Sequence, residues 1–206
     1  MTRLLLVRHG ESGWNRTRRL QGCLDSKLNR QGRLQAIALR ARLKHIRFTE
    51  LWASPLGRTV ETAQILNEGL AVPIRIHDGL REIDYGAWQG QAISTIEPPY
   101  RAWLRNPLAE TPPGGESLRR FVRRVGAALD EIVARGGTLG IVTHGGVIRA
   151  ALCHYFGFPL NKIWWLTVDN VSITEIRVDP DSARLYRFND SAHIVTRHAD
   201  LATIAM

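Results

Sequence analysis

Two short apolar runs in this chain, RLLLV at residues 3–7 and TLGIVT at 138–143, each lead into a histidine followed by glycine. A compact apolar run bounded by turn residues reads as a buried strand. Segments of helical period lie between them, so strands and helices alternate. That alternation predicts α/β architecture: a single-domain, three-layer α/β/α sandwich with a mostly parallel central sheet. Ligands of such sheets sit beyond the carboxyl ends of the strands, and His9 and His144 both fall there. The glycine after each histidine lets the backbone approach a ligand closely. GGVIR, at 145–149, opens a helix whose free N–H groups attract anions.

Elsewhere, residues 30–46 place Leu34, Ile37, Ala38 and Ala41 at helical spacing, predicting an amphipathic helix. LWAS at 51–54 reads as a strand, and Pro55 opens a helix carrying Val60, Ala63 and Leu66. VPIRI at 72–76 reads as a further strand. TPPGGES precedes a helix with Leu118, Phe121, Val122, Val125, Leu129 and Ile132 on one face, and residues 146–156 form another. Runs around 163–168, 171–178 and 184–188 read as β. The first contains Trp164 and Trp165, and one of them facing outward would serve a dimer contact, so monomer and homodimer both stay open.

A length of 206 residues suits about one domain. No apolar run approaches the ~20 residues of a membrane span, and LLLV is too short for a signal-peptide core. No membrane partner and a cytoplasmic location are therefore expected. Cys23 and Cys153 are the only cysteines, so neither a disulfide framework nor a cysteine zinc cluster is expected.

The formal charge is +9, from 28 basic and 19 acidic residues, and all but three of the basic residues are arginine. This balance favours phosphates or other acidic partners. Arg119, Arg120, Arg123 and Arg124 line one side of a helix, and such a face normally shows its charges to water. No nucleic-acid partner is expected from it. Arg8 is different, because it precedes His9. An arginine's planar fork binds two phosphate oxygens at once.

VRHGESGWN, SPLGRTVETA, LREIDYGAWQG, PPGGES and VTHGG lie in this order from near the start to about residue 150. Together they resemble the histidine phosphatase superfamily, the phosphoglycerate mutase-like enzymes, and in particular its short phosphatase branch. The resemblance implies that His9 takes the phosphoryl group as a phosphohistidine, while Arg8 and Arg58 hold its oxygens. It implies that His144 hydrogen-bonds the transferring group and that Glu82 protonates the leaving oxygen. Asn15 matches a phosphate-contacting asparagine, with Ser12 in the same loop. Gln21 and Gly22 match a segment that approaches the substrate, and Gly145 follows the second histidine. Neither cofactor nor metal is implied.

The chemistry suits these residue types. A histidine with an ordinary pKa of about 6.5 is largely neutral at pH 7 and can attack through nitrogen. Phosphoryl transfer is catalysed mainly by positioning and by positive charge around the moving group. Trp14, Tyr85 and Trp88 read as rim or core aromatics, with Tyr85 near the leaving group. His45, His77, His154, His193 and His198 have no motif support, and Cys23 reads as a spectator.

The expected activity is metal-independent hydrolysis of a small-molecule phosphomonoester such as phosphoserine or α-ribazole phosphate, or with broad specificity. A cofactor-dependent phosphoglycerate mutase is the alternative. Only 62 positions separate Glu82 from His144, shorter than a mutase's second phosphate site needs. A non-catalytic phosphate or nucleic-acid binding module on the same fold would be expected to lose His9, Glu82 or His144, and this chain keeps all three.

Overall fold

The computed structural model describes residues 1–194. In chain order the main elements are β1 (Thr2–Arg8), α1 (Gly13–Arg16), α2 (Arg30–Leu43), β2 (Glu50–Ala53), α3 (Gly57–Asn67), β3 (Ile74–Ile76), α4 (Glu97–Arg105), α5 (Leu118–Val133), β4 (Gly137–Thr143), α6 (Gly145–Phe156), β5 (Ile173–Asp179) and β6 (Ser182–Asp190). The six strands form one sheet in the order β3-β2-β4-β1-β5-β6. The β1–β4, β2–β4 and β2–β3 ladders are parallel, β5 runs antiparallel to β1, and β6 forms the edge antiparallel to β5.

Successive side chains of a strand point to opposite faces, so a strand apolar throughout must be covered on both. β1 follows this rule. Leu4 and Leu6 join a core with Leu129 of α5 and Ile148 of α6, whereas Leu5 and Val7 join a second core with Leu39 of α2 and Ala63 of α3. The result is the expected three-layer α/β fold. No helix among the described residues is long and apolar enough to cross a membrane.

Three local readings need correction. In α2 the buried positions are Gly32, Ala36, Leu39 and Leu43, while Leu34 is 51% and Ile37 43% exposed. Ala41 is exposed and Ala38 only half-buried. Small residues flank both stripes, so spacing alone did not separate them. The run 163–168 is not a strand. Leu160–Trp165 forms a 3₁₀ turn, in which Ile163 is buried, Trp164 packs into the aromatic core around Trp103, and Trp165 is 71% exposed. Finally, Pro55 stands before α3 rather than in it, since Leu56 is the N-cap.

The α2 result gives a direct stability test. Leu39→Ala empties a fully buried site and is expected to cost about 3 kcal/mol, whereas Leu34→Ala should stay within about 0.5 kcal/mol. Urea unfolding of both variants checks the pair, and equal costs would reverse the assigned face.

Candidate active site

The register of β1 against β4 brings the two histidines together. Arg8 lies opposite Thr143, so the next residue of each strand, His9 and His144, leaves the sheet at the same level. Their ring centroids are 5.3 Å apart in an edge-to-face arrangement. β2 ends one step away, and the Ser54 hydroxyl lies 2.8 Å from His144 Nε2.

His9 is 3% exposed, and its Nδ1 lies 2.7 Å from the Gly10 carbonyl. A carbonyl can only accept, so this contact puts the proton on Nδ1 and leaves the Nε2 lone pair free. Burial, reinforced by the nearby Arg58 and Arg8 guanidiniums, holds His9 well below the usual histidine range. His144 is lowered in the same way, by burial first and then by Arg58. Both rings therefore stay neutral in the folded protein at pH 7.

These depressed values have a sign that can be tested. Below about pH 6.5 the unfolded chain protonates both imidazoles and the folded chain resists doing so. Stability should therefore fall as pH drops from about 6.5, by about 1 kcal/mol per histidine at pH 5.5. Urea midpoints at pH 7.5 and 5.5, for the wild type and for His144→Gln, measure that contribution. An equal pH slope in both would contradict it.

Arg58 is 1% exposed, and burial lowers its pKa to about 10. Its two terminal nitrogens donate to Leu24 O at 2.7 Å and Gly22 O at 2.8 Å, which fixes the plane of the guanidinium. Its Nε is buried with no partner among the described residues, as is His144 Nδ1. Arg8 is also pushed down to about 10, by burial and then by Arg149, and it donates to Val168 O at 2.6 Å. Two desolvated cations and two orphaned nitrogens beside a neutral imidazole fit an anion, whose oxygens would satisfy them.

Arg8, His9, Asn15, Gln21, Gly22, Arg58, Glu82, Tyr85 and Gly145 all line one cavity of about 260 Å³. Asn15 Oδ1 accepts from Ser12 N at 3.0 Å, leaving its amide NH₂ as the free end. His144, fully buried, is not part of that lining, and neither is Ser12. Ser12 is also fully buried, caps α1, and ties Asn15 to Gln21 through its hydroxyl. Glu82 reaches the amino end of α6, accepting the Gly146 N–H at 3.1 Å and its neighbour's Ile83 N–H at 3.0 Å. A larger hollow of about 740 Å³, lined by Arg81, Asp84, Glu116 and Arg124, flanks the Glu82 segment and includes neither histidine.

Several supporting residues escaped the sequence reading. Arg124 is not a solvated charge. It forms a two-point pair with Glu116 at 2.7 and 3.1 Å and donates to the carbonyls of Gly79, Arg81 and Glu82, holding the segment that carries Glu82. Thr143 Oγ1 donates to Leu80 O at 2.8 Å from the other side. Asn170 Nδ2 donates to His9 O at 2.8 Å, and Val171 N donates to Arg8 O at 2.9 Å. Val171 adopts φ +51°, an outlier for a β-branched residue that the surrounding contacts must hold in place. Ser54 and Gly146 lie inside the motifs already quoted and were the readable signals. Tyr85 and Trp88 are core aromatics, and Trp14 lies at the cavity edge. His77 caps a 3₁₀ turn, His154 pairs with Asp130, His45 is exposed, and His198 lies outside the described residues.

Among the described residues no group of three or more His, Cys, Asp or Glu side chains could hold a metal ion. The family model of the histidine phosphatase superfamily (branch 1) matches residues 4–191. Phosphoserine phosphatase 1 of Hydrogenobacter thermophilus is 33% identical over 94% of this chain and 95% of its own. "Probable phosphoglycerate mutase GpmB" of Cronobacter sakazakii is 32% identical over 85% of each chain. The structure of Bacillus stearothermophilus YhfR superposes with a TM-score of 0.89 at 34% identity, covering 94% of this chain and 99% of the other.

Proposed function

The chain belongs to the histidine phosphatase superfamily, and on that premise we propose that it is a metal-independent phosphomonoesterase working through a phosphohistidine at His9. The observation that carries this reading is the free Nε2 of a neutral, buried His9 beside two buried arginines. In the first step His9 Nε2 attacks phosphorus, an N–P bond forms and the ester P–O bond breaks. The leaving alkoxide takes a proton from Glu82 and departs as the alcohol. In the second step water attacks the phosphohistidine and gives its proton to Glu82. The N–P bond breaks, releasing phosphate and returning His9 to its starting state. Arg8 and Arg58 neutralise the phosphoryl oxygens throughout, supplying the positive field that a metal ion supplies elsewhere, while the neutral His144 offers a hydrogen bond from its unpartnered Nδ1.

The test has two parts. Phosphate release from p-nitrophenyl phosphate should persist in excess EDTA, and acid-labile, alkali-stable label from a ³²P substrate should map to His9. Loss of activity on chelation, or label on another residue, would overturn the reading.

The relatives named as probable mutases keep a second reading in play. A mutase must hold its phosphoenzyme against water. Incubation with 3-phosphoglycerate and 2,3-bisphosphoglycerate is expected to release phosphate faster than it forms 2-phosphoglycerate. The reverse order of rates selects the mutase.

A further inference from the structure

The catalytic cavity is lined by five arginines, Arg8, Arg18, Arg19, Arg58 and Arg149, against one carboxylate, Glu82. A phosphate dianion neutralises two of these cations. Arg149 is the one whose geometry calls for another anion. It sits on α6 one turn beyond Gly145. Its Nε donates to Leu166 O at 2.7 Å, and its guanidinium lies 5.6 Å over the Trp164 ring. Those two contacts hold the stem and the plane. Among the described residues neither terminal nitrogen has a protein acceptor, and no carboxylate pairs with the group.

The fork is also close to the chemistry. A Cβ built on Gly145 would lie 2.9 Å from Arg149 Nη1 and 3.7 Å from Arg8 Cδ and Nε, so the two guanidiniums flank one patch of cavity wall. After burial, Arg149 is the strongest influence lowering Arg8. Two like charges this close are costly unless anions sit against them.

Building on the phosphatase reading, we propose that Arg149 seats a carboxylate carried by the alcohol part of the substrate, so that the enzyme selects phosphate esters of small hydroxy acids over those of neutral alcohols. The planar fork, pre-set by Leu166 and Trp164, matches a carboxylate with two parallel N–H···O bonds. Size agrees. About 260 Å³ corresponds to roughly nine water volumes, room for a phosphate and a few further heavy atoms. Because the carboxylate lies away from the reacting bond, its contribution appears mainly in KM.

The experiment compares 3-phosphoglycerate with glycerol 3-phosphate, which differ by a carboxylate against a hydroxymethyl group, by phosphate release. Wild type is expected to favour the acid by about 30-fold or more in kcat/KM. Arg149→Met should bring that ratio to within about threefold of one, mostly through KM for the acid, with Arg149→Lys intermediate. A wild-type ratio near one overturns the assignment even if Arg149→Met does not fold. So does an Arg149→Met enzyme whose two activities fall together at an unchanged ratio, since Arg149 would then serve the phosphate or the fold. Wild-type hydrolysis of p-nitrophenyl phosphate separates the two levels. If it proceeds while the ratio is one, only the carboxylate site fails. If it is absent, the phosphatase reading fails with it.

Discussion

His9→Ala is expected to lower phosphate release from any monoester by at least about 10⁴-fold, more than 5 kcal/mol of transition-state stabilisation. The size follows from what is left behind. Alanine removes the imidazole whose Nε2 lone pair stands free in the cavity beside Arg8 and Arg58, so water would have to attack phosphorus directly. His144 cannot take over readily, because it is fully buried outside the cavity lining and its Nε2 is engaged by Ser54 Oγ at 2.8 Å. The fold should survive. His9 makes its side-chain bond to the adjacent Gly10, while the main chain is held independently by Thr143 and Asn170. Arg8 and Arg58 remain in place, so the variant should still bind inorganic phosphate in calorimetry. Activity within tenfold of wild type, with phosphate binding intact, would remove His9 as nucleophile.

The parts of this molecule that its sequence revealed share a physical character. A strand buried on both faces needs an unbroken apolar run, so β1 and β4 announced themselves, and a glycine after each left a readable mark where the chain turns towards a ligand. Side-chain direction was harder. On α2, Ala36 and Ala38 are chemically alike, and only packing against α3 and the sheet decides which turns inward. At 163–168 the aromatic and β-branched residues imitate a strand, yet Ile163 and Trp164 fill a core already supplied by α4 and α6. Arg124 shows a third limit. On its helix it looks like any solvated charge, and its partners at Gly79, Arg81, Glu82 and Glu116 are adjacent only after folding. His9 and His144 were legible because each is tied to a strand end. The residues that aim Glu82 were not, because tertiary contact alone defines them.

Gly146→Ala is expected to cost about 10³-fold in kcat/KM on an alkyl phosphate while leaving the protein as stable as wild type or slightly more so. Both glycines at the start of α6 have ordinary helical backbone, and alanine there gains up to about 1 kcal/mol of helix propensity. The difference lies in what the added methyl meets. At Gly146 it overlaps Glu82 Oε1 and comes within 2.9 Å of the carboxyl carbon, so the carboxylate must leave the helix end. At Gly145 it clears Glu82, meeting Arg149 Nη1 at 2.9 Å and Arg8 at an ordinary 3.7 Å. A displaced Glu82 no longer protonates the leaving oxygen, and a positioned general acid contributes roughly 10²–10⁴-fold. A p-nitrophenolate leaves without much help, so on p-nitrophenyl phosphate Gly146→Ala should lose only about tenfold and Gly145→Ala less. That dependence on the leaving group is what a purely structural defect cannot produce. A variant losing equally on both esters would show that Glu82 orders the pocket rather than donating the proton.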